Sequence, residues 1–345
     1  MIQMPGLEII LDKVKENVEF LAFRIGIPDY VVSLVFNIVG AALILGFLLV
    51  TVMFLVWLER KISAHMQARL GPMRTGGWHG WSQSIADAIK LLLKEDIIPN
   101  CSDKWVHRIA AVLMFIPAFV SFAIIPFDKN VQAVDLNIGI LFIFAISSIT
   151  VIAIVMAGWG SNNKYSLFGA LRSAAQMISY EVPLVLSVVG VIMITGSLKM
   201  SDIVNAQSKV WFVFVQPVGF LLYIITGLAE INRVPFDIPE AESELVSGYH
   251  TEYSGMKFAF FFLAEYANMF LVASIATTLF LGGWHGPFLP PFLWFLIKTY
   301  SIVFLYMWAR WTLPRLRVDR LMDFGWKILM PIAFLNIIIT AIIIL

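Results

Sequence analysis

Apolar residues run along this chain in long blocks separated by short polar connections. Blocks at about 31–58, 109–127, 138–159, 183–197, 211–229, 258–281, 290–309 and 328–345 approach the roughly 20 helical residues needed to cross a hydrocarbon core of about 30 Å. The pattern predicts an all-α, polytopic membrane protein with about eight transmembrane helices. The fourth block is short, but nothing between Gly169 and Pro183 breaks a helix. Its helix is therefore predicted to begin near Ser166, with Pro183 as an internal kink that frees the carbonyl of Ser179.

A different periodicity occupies the longest connection. From Trp78 to Glu95, residues Trp81, Ile85, Ala88, Ile89, Leu92 and Leu93 share one helical face, while Asp87, Lys90 and Lys94 lie elsewhere. That predicts an amphipathic helix at about 78–95 lying in the membrane interface. Residues 1–30 are mildly amphipathic and lack the basic start, apolar core and small-residue cleavage site of a signal peptide, so they read as a surface segment. The remainder, 31–345, reads as one eight-helix membrane domain. No internal repeat is visible, which counts against the commonest transporter architectures.

Composition agrees with lipid as the main solvent: 60% of residues are hydrophobic, 14% are charged, and the mean hydropathy is +0.85. A net charge of +1 gives no field that would favour nucleic acid, so the placement of charge is what informs. Lysine and arginine number seventeen in 60–108, 160–182, 230–257 and 310–327, against six in the alternate connections, with Lys298 alone inside a block. The positive-inside rule then puts the long connections in the cytoplasm, the amphipathic helix with them, and both termini on the outer side of the membrane. The single cysteine, Cys101, excludes an internal disulfide and any iron–sulfur cluster held by four thiolates of this chain. The five histidines show no metal-binding spacing, so no metal site is expected.

Carboxylates beside apolar helices are costly and mark functional candidates. After the fifth block come Glu230, Asp237, Glu240, Glu242, Glu244 and Glu252, and Glu265 follows inside the sixth block. The connection 230–257 offers only Arg233 and Lys257 to neutralise its acids. Pro235 and Pro239 disfavour an uninterrupted surface helix and favour a kinked segment packed by Phe236 and Ile238. Acids held close together and partly buried have raised proton affinity, which a proton relay needs; the alternative is a solvated acidic loop. Glu181, two residues before Pro183, reads as a relay carboxylate or an interfacial acid. Glu59, with Arg60 and Lys61 at the end of the first block, reads as an orientation signal. Lys298 is either a membrane-embedded charge partner or a snorkelling lysine. Arg69, ahead of Gly71-Pro72, suits an anionic or quinone-oxygen contact, or a phospholipid headgroup. Arg315, Arg317 and Arg320 form a basic strip, and Trp57, Trp159, Trp211 and Trp326 read as aromatic-belt anchors.

Several ordered motifs carry a resemblance. Leu58-Glu59-Arg60-Lys61, Gln67-Ala-Arg69-Leu-Gly71-Pro72, Ala86-Asp87 to Lys94-Glu95, Ala157 to Ser166, Gly169 to Glu181, the acidic stretch, and Trp308-Ala-Arg310 to Pro314-Arg315 follow one another in order. Over nearly the whole chain from Trp57 onward, the sequence resembles the H-subunit family of bacterial NADH:quinone oxidoreductase (respiratory complex I), equivalent to mitochondrial NADH dehydrogenase subunit 1. The resemblance implies a membrane subunit at the junction of the redox and proton-pumping arms, in the bacterial cytoplasmic membrane. It also implies a quinone portal formed by the first and sixth helices with the helix at 78–95. Ubiquinone or menaquinone would be the substrate, reduced at a hydrophilic-arm partner beside the last iron–sulfur cluster. This chain would hold no metal, flavin or catalytic redox residue. Other implied partners are small membrane subunits and antiporter-like subunits. By motif, Arg69 would line the quinone chamber, and Glu181, Glu230, Glu240, Glu242, Glu244 and Glu265 would form the coupling chain. Glu59, Asp87, Asp237, Glu252 and Lys298 remain further candidates. Ile152, where the family commonly has an aromatic, and Arg317-Val318-Asp319-Arg320 depart from the pattern. Competing readings are the equivalent subunit of a membrane-bound hydrogenase or ferredoxin-linked complex, and a stand-alone secondary transporter.

Overall fold

The computed structural model describes residues 29–129, 131–238 and 246–345. The segment 1–28, most of the expected surface segment, lies outside them. Among the described residues, seven helices are long and apolar enough to span a membrane. They are α1 (Asp29–Met66), α3 (Lys104–Phe122), α4 (Gly139–Gly160), α5 (Lys164–Thr195), α8 (Gly255–Phe280), α9 (Pro291–Thr312) and α10 (Val318–Ile344), with shorter helices α2 (Gln83–Leu93), α6 (Met200–Ala206) and α7 (Pro217–Glu230) between them. No strand occurs among the described residues.

The fifth predicted span is the exception to continuity. A single helical turn, Phe212–Val215, ends at Gln216, and α7 restarts at Pro217, whose missing N–H suits a first helical position. Alone, the 14 residues of α7 rise only about 21 Å. The break is tolerated because buried polar side chains surround it. Gln216 Nε2 donates to Thr340 Oγ1 at 2.6 Å, and Asn336 Nδ2 donates to Gln216 Oε1 at 3.0 Å.

Helix limits differ from the apolar blocks for local reasons. α3 begins at Lys104 because the Asp103 carboxylate caps the backbone N–H groups of Trp105 and Val106, at 3.1 and 3.3 Å. Asn163 caps α5 through the Tyr165 N–H at 2.9 Å, and Gly196 ends it in the left-handed region. Pro183 lies inside that helix as expected. α1 runs past its apolar block through Glu59-Arg60-Lys61 to Met66.

Contacts divide the chain into two compact units, residues 1–49 and Val50–Leu345. Of the first, residues 29–49 are described and form the apolar beginning of α1. In the second, α5 is the hub against which α4, α7 and α10 pack, while α3 packs on α4 and α8, and α9 and α2 pack on α8. The predicted helix at 78–95 is a 3-10 turn at Trp78–Gly80 followed by α2. It presents Trp81, Ile85, Ile89, Leu92 and Leu93 outward, while Ser84 donates inward to the Met53 carbonyl at 2.8 Å. An outward apolar face is the arrangement lipid requires.

Close approach of α4 and α5 depends on Gly158, where an added Cβ would lie 2.3 Å from Ala170 Cβ and 2.8 Å from the Ser166 carbonyl. We predict that Gly158→Ala forces these helices apart and costs about 1–3 kcal/mol. Thermal unfolding of the purified protein should show a lower midpoint, and an unchanged midpoint would refute this close packing.

Candidate functional site

The most polar buried feature joins four elements. Glu59 of α1 accepts from Arg233 Nη1 at 2.5 Å and also from Arg310 Nη1 of α9. Arg233 follows α7, and its Nε lies 2.6 Å from Glu265 Oε1 of α8. That contact lacks hydrogen-bond alignment, so we read it as a Coulombic pair. The Arg233 guanidinium also sits over the Tyr266 ring, 4.5 Å from its centroid. Side-chain exposure is 2% for Arg233 and 6% for Glu59. Charges this buried persist only when paired, and two arginines against two carboxylates leave the cluster neutral. Glu59 is thus the centre of a buried ion cluster, which its place in a run of charges at a helix end did not reveal. One residue on, Arg60 pairs with Asp87 of α2 at 2.6 Å. An open apolar groove of about 470 Å³ begins at Leu58 and is lined on α9 by Leu293, Ile297, Tyr300 and Phe304.

The start of the acidic connection is folded inward. Gln176 of α5 reaches the Ala229 carbonyl at 2.9 Å, Asn232 Oδ1 at 3.0 Å and the Phe236 carbonyl at 2.7 Å. Asn232 turns the chain at φ 52°, a conformation Asn tolerates better than most residues. Phe236 and Ile238 are buried, as the proline spacing predicted. Arg315 Nε donates to the Asp237 carbonyl at 2.7 Å, so this member of the basic strip clamps the segment. Further on, Asn163 Nδ2 donates to Glu252 at 2.6 Å, tying the far end of the connection to the start of α5. Burial pushes the neighbouring His250 imidazole down to about 4, keeping it uncharged near neutrality. Glu240, Glu242 and Glu244 lie outside the described residues.

Among the remaining carboxylates, Glu181 accepts from Ser148 of α4. Glu230, at the end of α7, lies within electrostatic range of Glu181 and has a buried Oε2 with no hydrogen-bond partner among the described residues. The structure therefore places Glu181 and Glu230 within electrostatic range of each other, and separately gathers Glu59 and Glu265 on Arg233. Arg69 is exposed in the turn after α1, with no ion pair among the described residues; its backbone N–H returns to the Ala64 carbonyl at 2.9 Å.

Lys298 has no ion-pair partner among the described residues, and backbone carbonyls take its place. Its ammonium donates to the carbonyls of Leu281 (2.6 Å), Gly283 (3.0 Å) and His285 (2.6 Å), beyond the C-terminus of α8. The Trp211 ring covers it at 4.3 Å, so this tryptophan shields a cation. A cation suits the unsatisfied carbonyls of a helix end. Arg310, Gln176, Ser148 and Tyr266 contact the candidate site without standing out in the sequence. Polar side chains spaced within apolar helices, such as Ser148 and Gln176, were the available signal. Among the described residues no group of His, Cys, Asp and Glu is arranged to hold a metal ion.

The model of the NADH dehydrogenase family matches residues 39–341. The H subunit of the NADH-quinone oxidoreductase of Dehalococcoides mccartyi (strain CBDB1) is 55% identical over 304 residues, covering 88% of this chain and 86% of that protein. The protein of the same name from Bacillus cytotoxicus is 52% identical over 307 residues, covering 88% of this chain and 92% of that protein. With an all-α membrane fold and ordered motifs on both sides of the buried cluster, the chain belongs to the NADH dehydrogenase family, among the H subunits of NADH-quinone oxidoreductase.

Proposed function

We propose that this membrane subunit forms part of the quinone chamber of its oxidoreductase and couples quinone reduction by a neighbouring subunit to proton translocation. The observation that carries this reading is the concentration of carboxylates around α5, α7 and α8. Glu59 and Glu265 share the buried Arg233, while Glu181 and Glu230 lie within electrostatic range of each other. A quinone that takes up two electrons also takes up protons. Changing its charge near a neutral but tightly balanced ion cluster shifts which carboxylate holds a proton, and a neighbouring acid responds.

In this reading Arg69, exposed at the end of α1, faces the partner that supplies the quinone headgroup ligands and the terminal iron–sulfur cluster. The quinone tail travels along the apolar groove beside Leu58 or past α2 and α8 to reach Glu59. Glu240, Glu242 and Glu244 continue the carboxylate chain toward small membrane subunits and antiporter-like subunits. Ubiquinone and menaquinone both suit such a chamber, because their tails share one chemistry. No redox group of this chain is needed, since electrons arrive from the partner. A stand-alone transporter is disfavoured because the relatives of this chain are named as subunits of an oxidoreductase.

We further propose that the subunit lies in the cytoplasmic membrane with both termini on the periplasmic side, following the lysine and arginine asymmetry. In a Cys101→Ser background, the exposed Ser208 replaced by cysteine should react with a membrane-impermeant maleimide in spheroplasts and be protected in inverted vesicles. The opposite pattern would reverse the topology.

The coupling reading is tested in the assembled complex with Glu265→Gln, Glu242→Gln and Glu244→Gln. Each should assemble yet lose roughly tenfold in quinone reductase turnover, equivalent to about 1.4 kcal/mol of barrier. Proton uptake into vesicles should fall at least in proportion. Full turnover and full pumping in all three variants would remove these acids from the path.

A further inference from the structure

Lys298 is a fixed charge that the coupling of quinone to carboxylates does not use. It is 6% exposed within α9, and no carboxylate pairs with it among the described residues. The carbonyls of Leu281, Gly283 and His285 solvate its ammonium, and the rings of Trp211 and Trp294 flank it at 4.3 and 5.9 Å. Carbonyl dipoles make a buried cation tolerable but leave its unit charge in place. The charge is felt in the connection between α8 and α9, where burial first and the Lys298 ammonium second hold the His285 imidazole below its usual value.

A polar seam between α8 and α9 leads to that charge. On α9, Thr299, Tyr306 and Arg310 lie at i, i+7 and i+11, a spacing that keeps them on one face. On α8, Tyr266 and Thr277 are likewise eleven residues apart. One end of both faces meets the ion cluster, Arg310 on Glu59 and Tyr266 beneath the Arg233 guanidinium. Toward the other end the faces touch directly, where Thr299 Oγ1 donates to Thr277 Oγ1 at 3.2 Å with both residues fully buried. Between these ends Tyr306 is 1% exposed, and its hydroxyl lacks a hydrogen-bond partner among the described residues. The Thr277 carbonyl accepts from the N–H groups of Leu281 and Gly283, at 3.2 and 2.9 Å, and the carbonyls of those same two residues take the ammonium. Lys298 thus closes the far end of the seam, one turn beyond its last hydroxyl. Hydroxyls both donate and accept, so a buried row of them is the least costly place for a proton to cross an apolar interior.

We propose that the Lys298 ammonium is a proton barrier at the far end of this seam, a fixed cation that keeps protons exchanged at Glu59 and Glu265 from escaping directly across the membrane. A positive charge held in a polar passage repels protons without filling the passage. This role rests on the reading of Glu265 as a coupling carboxylate and deepens it, because a proton handed sideways to a neighbouring subunit is conserved only where the direct way out is shut.

Lys298→Gln keeps N–H donors for the carbonyls and removes the charge. The assembled complex is reconstituted into liposomes with a trapped pH-sensitive dye, and a valinomycin-clamped potassium gradient drives protons inward with neither NADH nor quinone added. Passive proton flux through Lys298→Gln should exceed that of the unaltered complex roughly tenfold, the factor that about 1.4 kcal/mol of barrier represents. Lys298→Arg should stay tight. Adding Thr299→Val, which removes a seam hydroxyl and keeps the side-chain shape, should suppress the leak of Lys298→Gln. A tight Lys298→Gln, an equal leak in Lys298→Arg, or a leak that Thr299→Val leaves unchanged overturns the barrier and assigns Lys298 to packing alone. Where Lys298→Gln does not assemble, Lys298→Met is read in the same way. The flux is measured without turnover, so full turnover and pumping in Glu265→Gln would remove the coupling reading and leave the leak result standing.

Discussion

Desolvation of one guanidinium organises this protein. Arg233 is removed from water almost completely, and its charge is acceptable only because Glu59 and Glu265 lie within 2.6 Å. That requirement reaches into three helices. It draws the end of α1 inward, so that the helix continues through a charged run where the apolar block had already stopped. It fixes the inner face of α8 through Glu265 and Tyr266, and through Glu59 it engages Arg310 on α9. Arg233 keeps Glu59 when Glu265 is neutralised, but the charge balance shifts across every member, so the cluster behaves as a unit.

The rest of the acidic region hangs from this frame. Gln176 and Arg315 hold the first part of the connection through its backbone, and Arg315 also lies 3.7 Å from the Asp237 carboxylate. α9 is anchored by cations at both ends. Lys298 grips carbonyls beyond α8 near one end, and Arg310 grips Glu59 near the other, roughly 18 Å along the helix. Tyr306 lies between those anchors.

Much of the architecture was legible from apolar periodicity because lipid imposes a length on every crossing element. The amphipathic face of α2, the internal position of Pro183 and the inward folding of Phe236 and Ile238 were all readable. What escaped was the pairing of distant charges. Glu59 and Arg310 are separated by 251 positions, and nothing local distinguishes a carboxylate that orients a helix from one that closes an ion cluster. The partners of Lys298 escaped for a related reason: they are backbone carbonyls, which have no sequence signature. Trp211 looked like a belt residue because its position at a span end is shared by rings that meet lipid and rings that cover a cation. The break at Gln216 was hidden because hydropathy averages over a polar residue flanked by phenylalanines and valines.

That break has a consequence for biogenesis. The amide of Gln216 is satisfied by Asn336 and Thr340, which are synthesised more than a hundred residues later. Until the last helix has entered the bilayer, the fifth segment carries a carboxamide and an interrupted backbone ladder into lipid without partners. It is therefore a poor autonomous insertion unit. The native hydrogen bonds of the fifth segment are complete only once α10 has packed against it, which ties the middle of the chain to an element made much later.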